Sequence, residues 1–181
     1  MNADSNAGSD GCPSELVSTK PLRGVIFTKV CNKALADSVQ RAASEKVIGY
    51  FRPTAAEIQT LETRLRPALE RGLKEPDSVA YLRLPAADRE EEVWGIRGAL
   101  TGILKDFAKY RRQYVGIVAQ GGVRRVLANS FPEVGADGRD DYGSWQRRWV
   151  DYVDDGGWEF WHIEYDLASG QFLGFEWNPS G

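Results

Sequence analysis

The sequence is poor in the residues that most often carry catalysis or bind metals. It has one histidine and two cysteines in 181 residues. A standard zinc finger or ribbon needs four cysteine or histidine ligands, which excludes that class. The chain also lacks a G-x-S-x-G elbow, a papain-type or caspase-type cysteine signature and a P-loop. We therefore expect no metal, no cofactor and no catalytic residue, and the balance favours a protein that is not an enzyme.

Long apolar runs are also missing. No stretch approaches the roughly 20 apolar residues that cross a bilayer, so no membrane span is predicted. The first twenty residues have neither the basic nor the apolar region of a signal peptide, and the cytoplasm is the default expectation. Reduced thiols are then the favoured interpretation of Cys12 and Cys31. A disulfide between them is the alternative in an oxidising compartment.

Positive charge is in slight deficit. The formal net charge is −3, whereas nucleic-acid binders are usually basic, so no nucleic-acid partner is predicted. Residues 1–20 are rich in Ser, Asn, Asp and Gly and carry few large apolar side chains. Such a segment buries too little surface to offset its ordering entropy, so we expect a flexible tail. The remainder, residues 21–181, has the length of a single domain.

The first half of the chain shows helix and strand patterns in alternation. The β-branched runs 24–30 and 46–51 predict strands, and the spacing of apolar residues in 34–43 predicts a helix. Thr54 and Glu57 fit a capping box that starts a second helix. Pro67 lies inside that helix pattern and predicts a kink or a restart.

From Tyr114 onward the apolar residues recur every second position. The pattern predicts strands joined by glycine-rich turns, over residues 114–120, 123–131, 145–153, 158–167 and a last strand around 173–177. In the strand 158–167, the odd positions Trp161, Ile163 and Tyr165 are predicted to face a core. The even positions face the other side of the sheet.

This other side supplies the candidate binding residues. It carries Trp158, Phe160, His162 and Glu164, a mixture that is typical either of a face covered by a helix or of a binding surface. Simple coverage is the favoured interpretation. Arginines interleave with aromatics at 110–114 and 145–149, which suits cation–π bracing, base stacking or a protein-binding hot spot. We add Tyr114 and Arg148 from these runs to the candidate set.

Three stretches carry a resemblance to a known group. They are YFRPT..EI at 50–58, KYRRQYVGI at 109–117 and W...WV.YVDDGGWEFW.IEYDL..G.F at 145–172. Over residues 47–178 the chain resembles a group of small bacterial α+β proteins without assigned activity. The resemblance implies a bacterial α+β protein and brings no cofactor or active site. A long helix followed by an antiparallel meander is also similar to cystatin-like arrangements, in which a helix lies across a curved sheet.

These observations predict an α+β fold, with helices packed on one face of an antiparallel meander of four to five strands. The predicted function is a non-enzymatic bacterial binding protein whose partner is another protein. One alternative is a small-molecule-binding or hydrolytic protein with a pocket between helix and sheet around His162, Glu164 and Tyr114. A second alternative is a toxin-neutralising immunity protein, because acidic domains suit basic toxins.

Overall fold

The computed structural model describes residues 11–19, 22–80, 89–133, 142, 144–151 and 157–178. Within these ranges the chain forms three α-helices and one seven-stranded sheet. The helices are α1 (Lys33–Ala42), α2 (Ala55–Gly72) and α3 (Arg89–Lys105). The strands are β1 (Ser14–Thr19), β2 (Leu22–Phe27), β3 (Val47–Phe51), β4 (Tyr110–Ala119), β5 (Arg124–Pro132), β6 (Trp161–Asp166) and β7 (Phe172–Trp177). None of these helices is long and apolar enough to span a membrane.

The sheet is mostly antiparallel, with the order β1-β2-β4-β5-β6-β7. Strand β4 pairs with β5 along one edge. On its other edge it pairs first with β2, the single parallel contact among these pairs, and then with β3. The α+β class and the largely antiparallel sheet are confirmed. The predicted count of four to five strands is wrong, because β1, β2 and β3 extend the same sheet.

Helices cover both faces of the sheet, which corrects the prediction that they pack on one face. Apolar residues of α2 and α3 share a core with Tyr114, Trp161 and Ile163; we call this side the α2/α3 face. Apolar residues of α1 share a second core with Val115 and Leu127; we call this side the α1 face. Because successive strand residues point to opposite faces, β4 and β5 are buried along nearly their whole length.

The segment predicted as a flexible tail contains strand β1. Its first ten residues lie outside the described ranges, but Ser14–Thr19 pairs with β2 along its whole length. This hairpin pairs Ser14 with Phe27 and so brings the flanking cysteines together. Cys12 and Cys31 form a disulfide, with Cα atoms 5.5 Å apart. The expectation of reduced thiols is therefore wrong.

Helix α2 begins as its capping box predicts and ends later than its proline suggests. The Thr54 hydroxyl accepts a hydrogen bond from the Glu57 N–H, and the Glu57 carboxylate accepts one from the Thr54 N–H. The helix runs through Pro67 without a restart. Leu65 and Leu69, on either side of the proline, are fully buried. Their packing offsets the backbone hydrogen bond that Pro67 cannot donate.

The predicted strand 145–153 does not form where the structure describes this segment. Residues 144–147 make turns instead, and residues 152–153 lie outside the described ranges. The side chain of Gln113 donates to the carbonyls of Trp145 and Arg148 at 2.6 Å each and accepts from the Val150 N–H at 2.8 Å. The buried side-chain amide of Gln113 therefore binds backbone C=O and N–H groups of this segment. In a β-strand, such groups would instead bond to a neighbouring strand.

The last two strands follow the predicted alternation, with two exceptions. Strand β6 begins only at Trp161, after a 3₁₀ turn at Gly157–Glu159. Strand β7 contains a bulge, since its register against β6 shifts by one residue and Gly174 has a φ of +63°. Phe172 and Phe175 therefore both reach the α2/α3 face, although odd and even positions of a regular strand would separate them.

Candidate functional site

The candidate residues predicted from sequence do not form one surface. His162, Glu164 and Phe160 lie on the α1 face, opposite Trp161, Ile163 and Tyr165, as the alternation predicts. Tyr114 lies inside the core of the α2/α3 face, and Trp158 lies against α3 on the outside of that same layer. Arg148 lies on the segment that covers the α1 face. The sheet therefore separates residues that sequence reasoning grouped together.

Glu164 joins three parts of the fold. Its side chain is fully buried and forms an ion pair with Arg125 on the neighbouring strand at 3.0 Å. Its other oxygen accepts the backbone N–H of Ser44, just after α1, at 2.5 Å. Both carboxylate oxygens are thus used within the protein. Glu164 fixes the end of α1 to the sheet and is not placed to meet a ligand.

Tyr114 belongs to a buried polar cluster with Glu62 and Arg112. The Tyr114 hydroxyl donates to one Glu62 oxygen at 2.7 Å, and Arg112 pairs with the other at 3.3 Å. Burial raises the pKa of Tyr114 well above its ordinary value, and the nearby Glu62 charge raises it further. The cluster is closed to solvent, because Arg112 is 0% and Tyr114 1% exposed. Tyr114 is therefore a core residue, not part of a surface site.

His162 lies beside a cavity that is too small for an organic ligand. It is 2% exposed, and its Nε2 is 3.6 Å from a carboxylate oxygen of Glu176. The cavity has a volume of about 20 Å³ and is also lined by Asn129, Trp149 and Phe160. A cavity needs about 10–15 Å³ to hold one water molecule. The space at His162 accordingly fits one water.

A larger cleft lies next to it, at the start of α1. Its volume is about 480 Å³, within the range of about 300–1,000 Å³ that is typical of ligand sites. The cleft lies between the disulfide, the first turn of α1 and the segment 147–151. Its lining includes Cys12, Asn32, Leu35, Arg147, Arg148 and Trp149. We call it the α1 cleft.

Local interactions fix each wall of the α1 cleft. The Asn32 side chain caps α1 by accepting the Leu35 N–H at 2.9 Å. The Cys12 N–H donates to the Arg147 carbonyl at 2.8 Å. Gly11 packs so closely there that an added Cβ would lie 2.6 Å from the Arg147 Cβ. The disulfide then ties this contact to the residue that precedes Asn32.

The charges around the α1 cleft favour an anion. Asp151, its acidic lining residue, accepts from Ser38 at 2.8 Å and pairs with Arg41 at 3.2 Å. Arg147 and Arg148 are exposed at the same cleft. The first turn of α1 adds the positive end of a helix dipole. Over the described ranges, no group of three or more His, Cys, Asp or Glu side chains is placed to hold a metal ion.

Of the residues that form this cleft, sequence reasoning identified only Arg148 as a binding residue. The signal that could have found the rest was the pair of cysteines, since a disulfide between them puts Asn32 beside residues 11–13. No protein-family model, curated protein or solved structure matches the chain. A proposal on function therefore rests on the geometry of the molecule itself.

Proposed function

We propose that this is a bacterial binding protein without catalytic activity, which holds an acidic, partly apolar segment of a partner protein in the α1 cleft. The observation that carries the proposal is a cleft of about 480 Å³ whose lining combines Arg147 and Arg148 with Trp149. Arginine binds carboxylates through paired hydrogen bonds, and tryptophan and arginine are the residue types most enriched in binding hot spots.

The disulfide supports an oxidising site of action. Disulfides persist outside the reducing cytosol, and Cys12–Cys31 fastens one wall of the α1 cleft. We therefore propose that the protein meets its partner in an oxidising compartment. This replaces the cytoplasm as the default expectation.

The alternatives have less support from the geometry. A hydrolytic or small-molecule site around His162 would need more space than the one-water cavity there offers. An immunity protein would bind a basic toxin, whereas the α1 cleft presents two arginines. The immunity hypothesis stays a prediction, and the assay for it is whether the chain neutralises the product of a neighbouring toxin gene.

A matched pair of peptides tests the α1 cleft. The probes are a capped peptide of sequence FDDL and its uncharged counterpart FNNL, with binding measured by calorimetry. We expect the acidic peptide to bind at least 10-fold more tightly. The double variant Arg147→Glu, Arg148→Glu should lose that preference, because repulsion replaces the charge-assisted hydrogen bonds.

Arg66→Glu is the control variant. Arg66 is an exposed arginine on α2, paired with Glu70 at 3.0 Å, and it lies on the other side of the sheet. Its reversal changes the net charge in the same direction but leaves the cleft intact. Equal binding of the two peptides, or an equal loss of affinity in the Arg66 variant, would contradict a specific anion site in the α1 cleft.

A further inference from the structure

The Cys12–Cys31 disulfide borders the α1 cleft, and its two halves differ in access to solvent. Cys12 is 2% exposed and packs in the core of the α1 face. Cys31 lies just before Asn32, the cap of α1, and is exposed. A disulfide is cleaved when a thiolate attacks one of its two sulfurs, so access decides which sulfur is attacked. An incoming thiolate therefore reaches the sulfur of Cys31 and not that of Cys12.

The surroundings of Cys12 favour the same direction of attack. The backbone N–H of Cys31 donates to the Cys12 Sγ at 3.3 Å. Attack at Cys31 places the developing negative charge on the Cys12 sulfur, and a hydrogen bond to a charged group stabilises the charged form. A sulfur that is stabilised as a thiolate leaves more readily during exchange. Cys12 is thus the buried leaving group and Cys31 the accessible point of attack.

The disulfide also holds one wall of the α1 cleft in place. Residues 11–13 form this wall, and the disulfide links it covalently to the start of α1. The wall meets residues 144–151 through the hydrogen bond from the Cys12 N–H to the Arg147 carbonyl, and through the close packing of Gly11 on Arg147. One neutral hydrogen bond contributes only about 0.5–1.5 kcal/mol. Cleavage of the disulfide should therefore loosen the wall and the segment that it contacts.

We propose that the Cys12–Cys31 disulfide is a redox switch for the α1 cleft, operated by small thiols of the glutathione class. Disulfides exposed to solvent are the labile ones that serve regulation, and the Cys31 half of this bond is exposed. With the bond intact, residues 11–13 stay fixed against residues 144–151. With the bond reduced, the wall loosens and the cleft loses affinity for its partner. This regulation rests on the proposed binding function of the cleft, whereas the direction of attack does not.

The chemistry has two exchange steps. The thiolate of the small thiol attacks the Sγ of Cys31, a new sulfur–sulfur bond forms there, and the bond to Cys12 breaks. The electron pair of the broken bond leaves with the Cys12 sulfur, which takes a proton from water. A second thiolate then attacks the sulfur of the bound small thiol, releases Cys31 as a thiolate and gives the disulfide of the small thiol. Two small thiols are thereby oxidised, and the protein disulfide is reduced.

The direction of attack is tested on the native, disulfide-bonded protein with reduced glutathione. N-ethylmaleimide added shortly afterwards traps the freed thiol, and mass spectrometry shows which cysteine carries which label. We expect glutathione on Cys31 and maleimide on Cys12, at least 10-fold in excess of the reverse pattern. The same reaction in denaturing urea is the control, where the two patterns should become similar. Similar amounts of the two patterns in the folded protein would overturn the proposal.

The loosening is tested without any peptide, by trypsin digestion of the double variant Cys12→Ser, Cys31→Ser. Cleavage after Arg147 or Arg148 reports the cover of the cleft, and cleavage after Arg64 in α2 reports unfolding of the whole domain. At a trypsin dose that leaves Arg64 uncut, we expect the variant to be cut after Arg147 or Arg148 at least 10-fold faster than the native protein. Equal rates there, or cutting that always accompanies cleavage at Arg64, would overturn the switch.

Binding of the FDDL peptide links the switch to the proposed function. The double variant and the native protein reduced with dithiothreitol should both bind FDDL at least 10-fold less tightly than the native protein. If the native protein does not bind FDDL, the proposed function fails, while attack at Cys31 and faster cleavage in the variant would still support the switch. If the native, reduced and variant proteins bind FDDL equally tightly, the switch is overturned and the proposed function stands.

Discussion

The two faces of the sheet are covered in different ways. Two helices of 18 and 17 residues lie on the α2/α3 face. The α1 face has one helix of 10 residues and the irregular segment 144–151. On the first face the polar side chains Arg112, Glu62 and Tyr114 are sealed in and paired with each other. On the second face a disulfide and Gln113 hold the cover in place, and a cleft remains. The strand residues are buried on both sides of the sheet. The length and regularity of the segment that covers each face therefore decide where a cleft remains.

The largest loss of stability should come from removing one charge of the buried cluster on the α2/α3 face. Arg112→Met removes the charge that neutralises Glu62 and the cation–π contact with Phe107, whose ring centroid lies 4.5 Å from the guanidinium carbon. An unpaired buried charge costs about 3–5 kcal/mol, so the free energy of unfolding in urea should fall by that amount.

Two further variants sharpen this prediction. Adding Glu62→Leu to Arg112→Met should recover part of the loss, because no isolated charge then remains in the core. On the α1 face, Arg41→Ala breaks an ion pair whose side chains are 61% and 51% exposed, and should cost less than about 1 kcal/mol. Similar costs for Arg41→Ala and Arg112→Met would remove the contrast between the two faces.

Removal of the Cys12–Cys31 disulfide should cause the next largest loss of stability. It closes a loop with a sequence separation of 19 residues, and the chain-entropy model gives such a link about 3 kcal/mol. The double variant Cys12→Ser, Cys31→Ser should lower the free energy of unfolding by about that amount. Reduction of the native protein should have the same effect.

Hydrogen exchange can locate the loosened region. We expect faster exchange at the amides of residues 11–14 and 144–151, while the amides of α2 keep their protection. Uniformly faster exchange in both layers would mean that the disulfide stabilises the whole sheet. It would then contradict the view that the disulfide stabilises the α1 face independently of the α2/α3 face.

A smaller effect should appear in alkaline solution. The folded-state pKa of Tyr114 lies above its ordinary value of 10.0 because of burial and the Glu62 charge. The unfolded chain therefore releases this proton first as the pH rises. The stabilisation that comes from the raised pKa of Tyr114 is fully present below about pH 10. It is lost progressively as the pH rises from there toward the folded-state pKa.

Tyr114→Phe tests this pH dependence. The variant should be less stable at pH 8 by about 1.5–3 kcal/mol, through loss of the hydrogen bond to Glu62. Between pH 10 and 11 it should lose about 1 kcal/mol less than the native protein, because the unfolded chain is already half ionised at pH 10. Burial also raises the pKa of Tyr110 on the same face, so Tyr110→Phe should act in the same direction. If the free energy of unfolding fell with pH as steeply in both variants as in the native protein, the alkaline sensitivity would arise outside the α2/α3 layer.

Periodicity and capping in the sequence predicted much of the fold. Thr54 and Glu57 located the start of α2, and the two-residue rhythm placed His162 and Glu164 opposite Trp161. The alternating pattern at 145–153 predicted a strand, and that prediction was wrong. The Gln113 side chain, more than 30 residues earlier in the chain, binds the backbone of this segment and prevents strand pairing. The disulfide depends on the redox state of a compartment, which local patterns do not encode. The α1 cleft was missed because it depends on that disulfide and on the packing of α1 on the second face.

We expect the parallel contact between β2 and β4 to influence the order in which the protein folds. All of α1, β3, α2 and α3 lie between these two strands in the chain. During synthesis the first hairpin emerges long before its sheet partner exists, and contacts between such distant segments form slowly. Strand β2 of this hairpin therefore has one unpaired edge until β4 has been made. The Cys12–Cys31 disulfide at the base of the hairpin, once formed, would hold it in register for its pairing with β4.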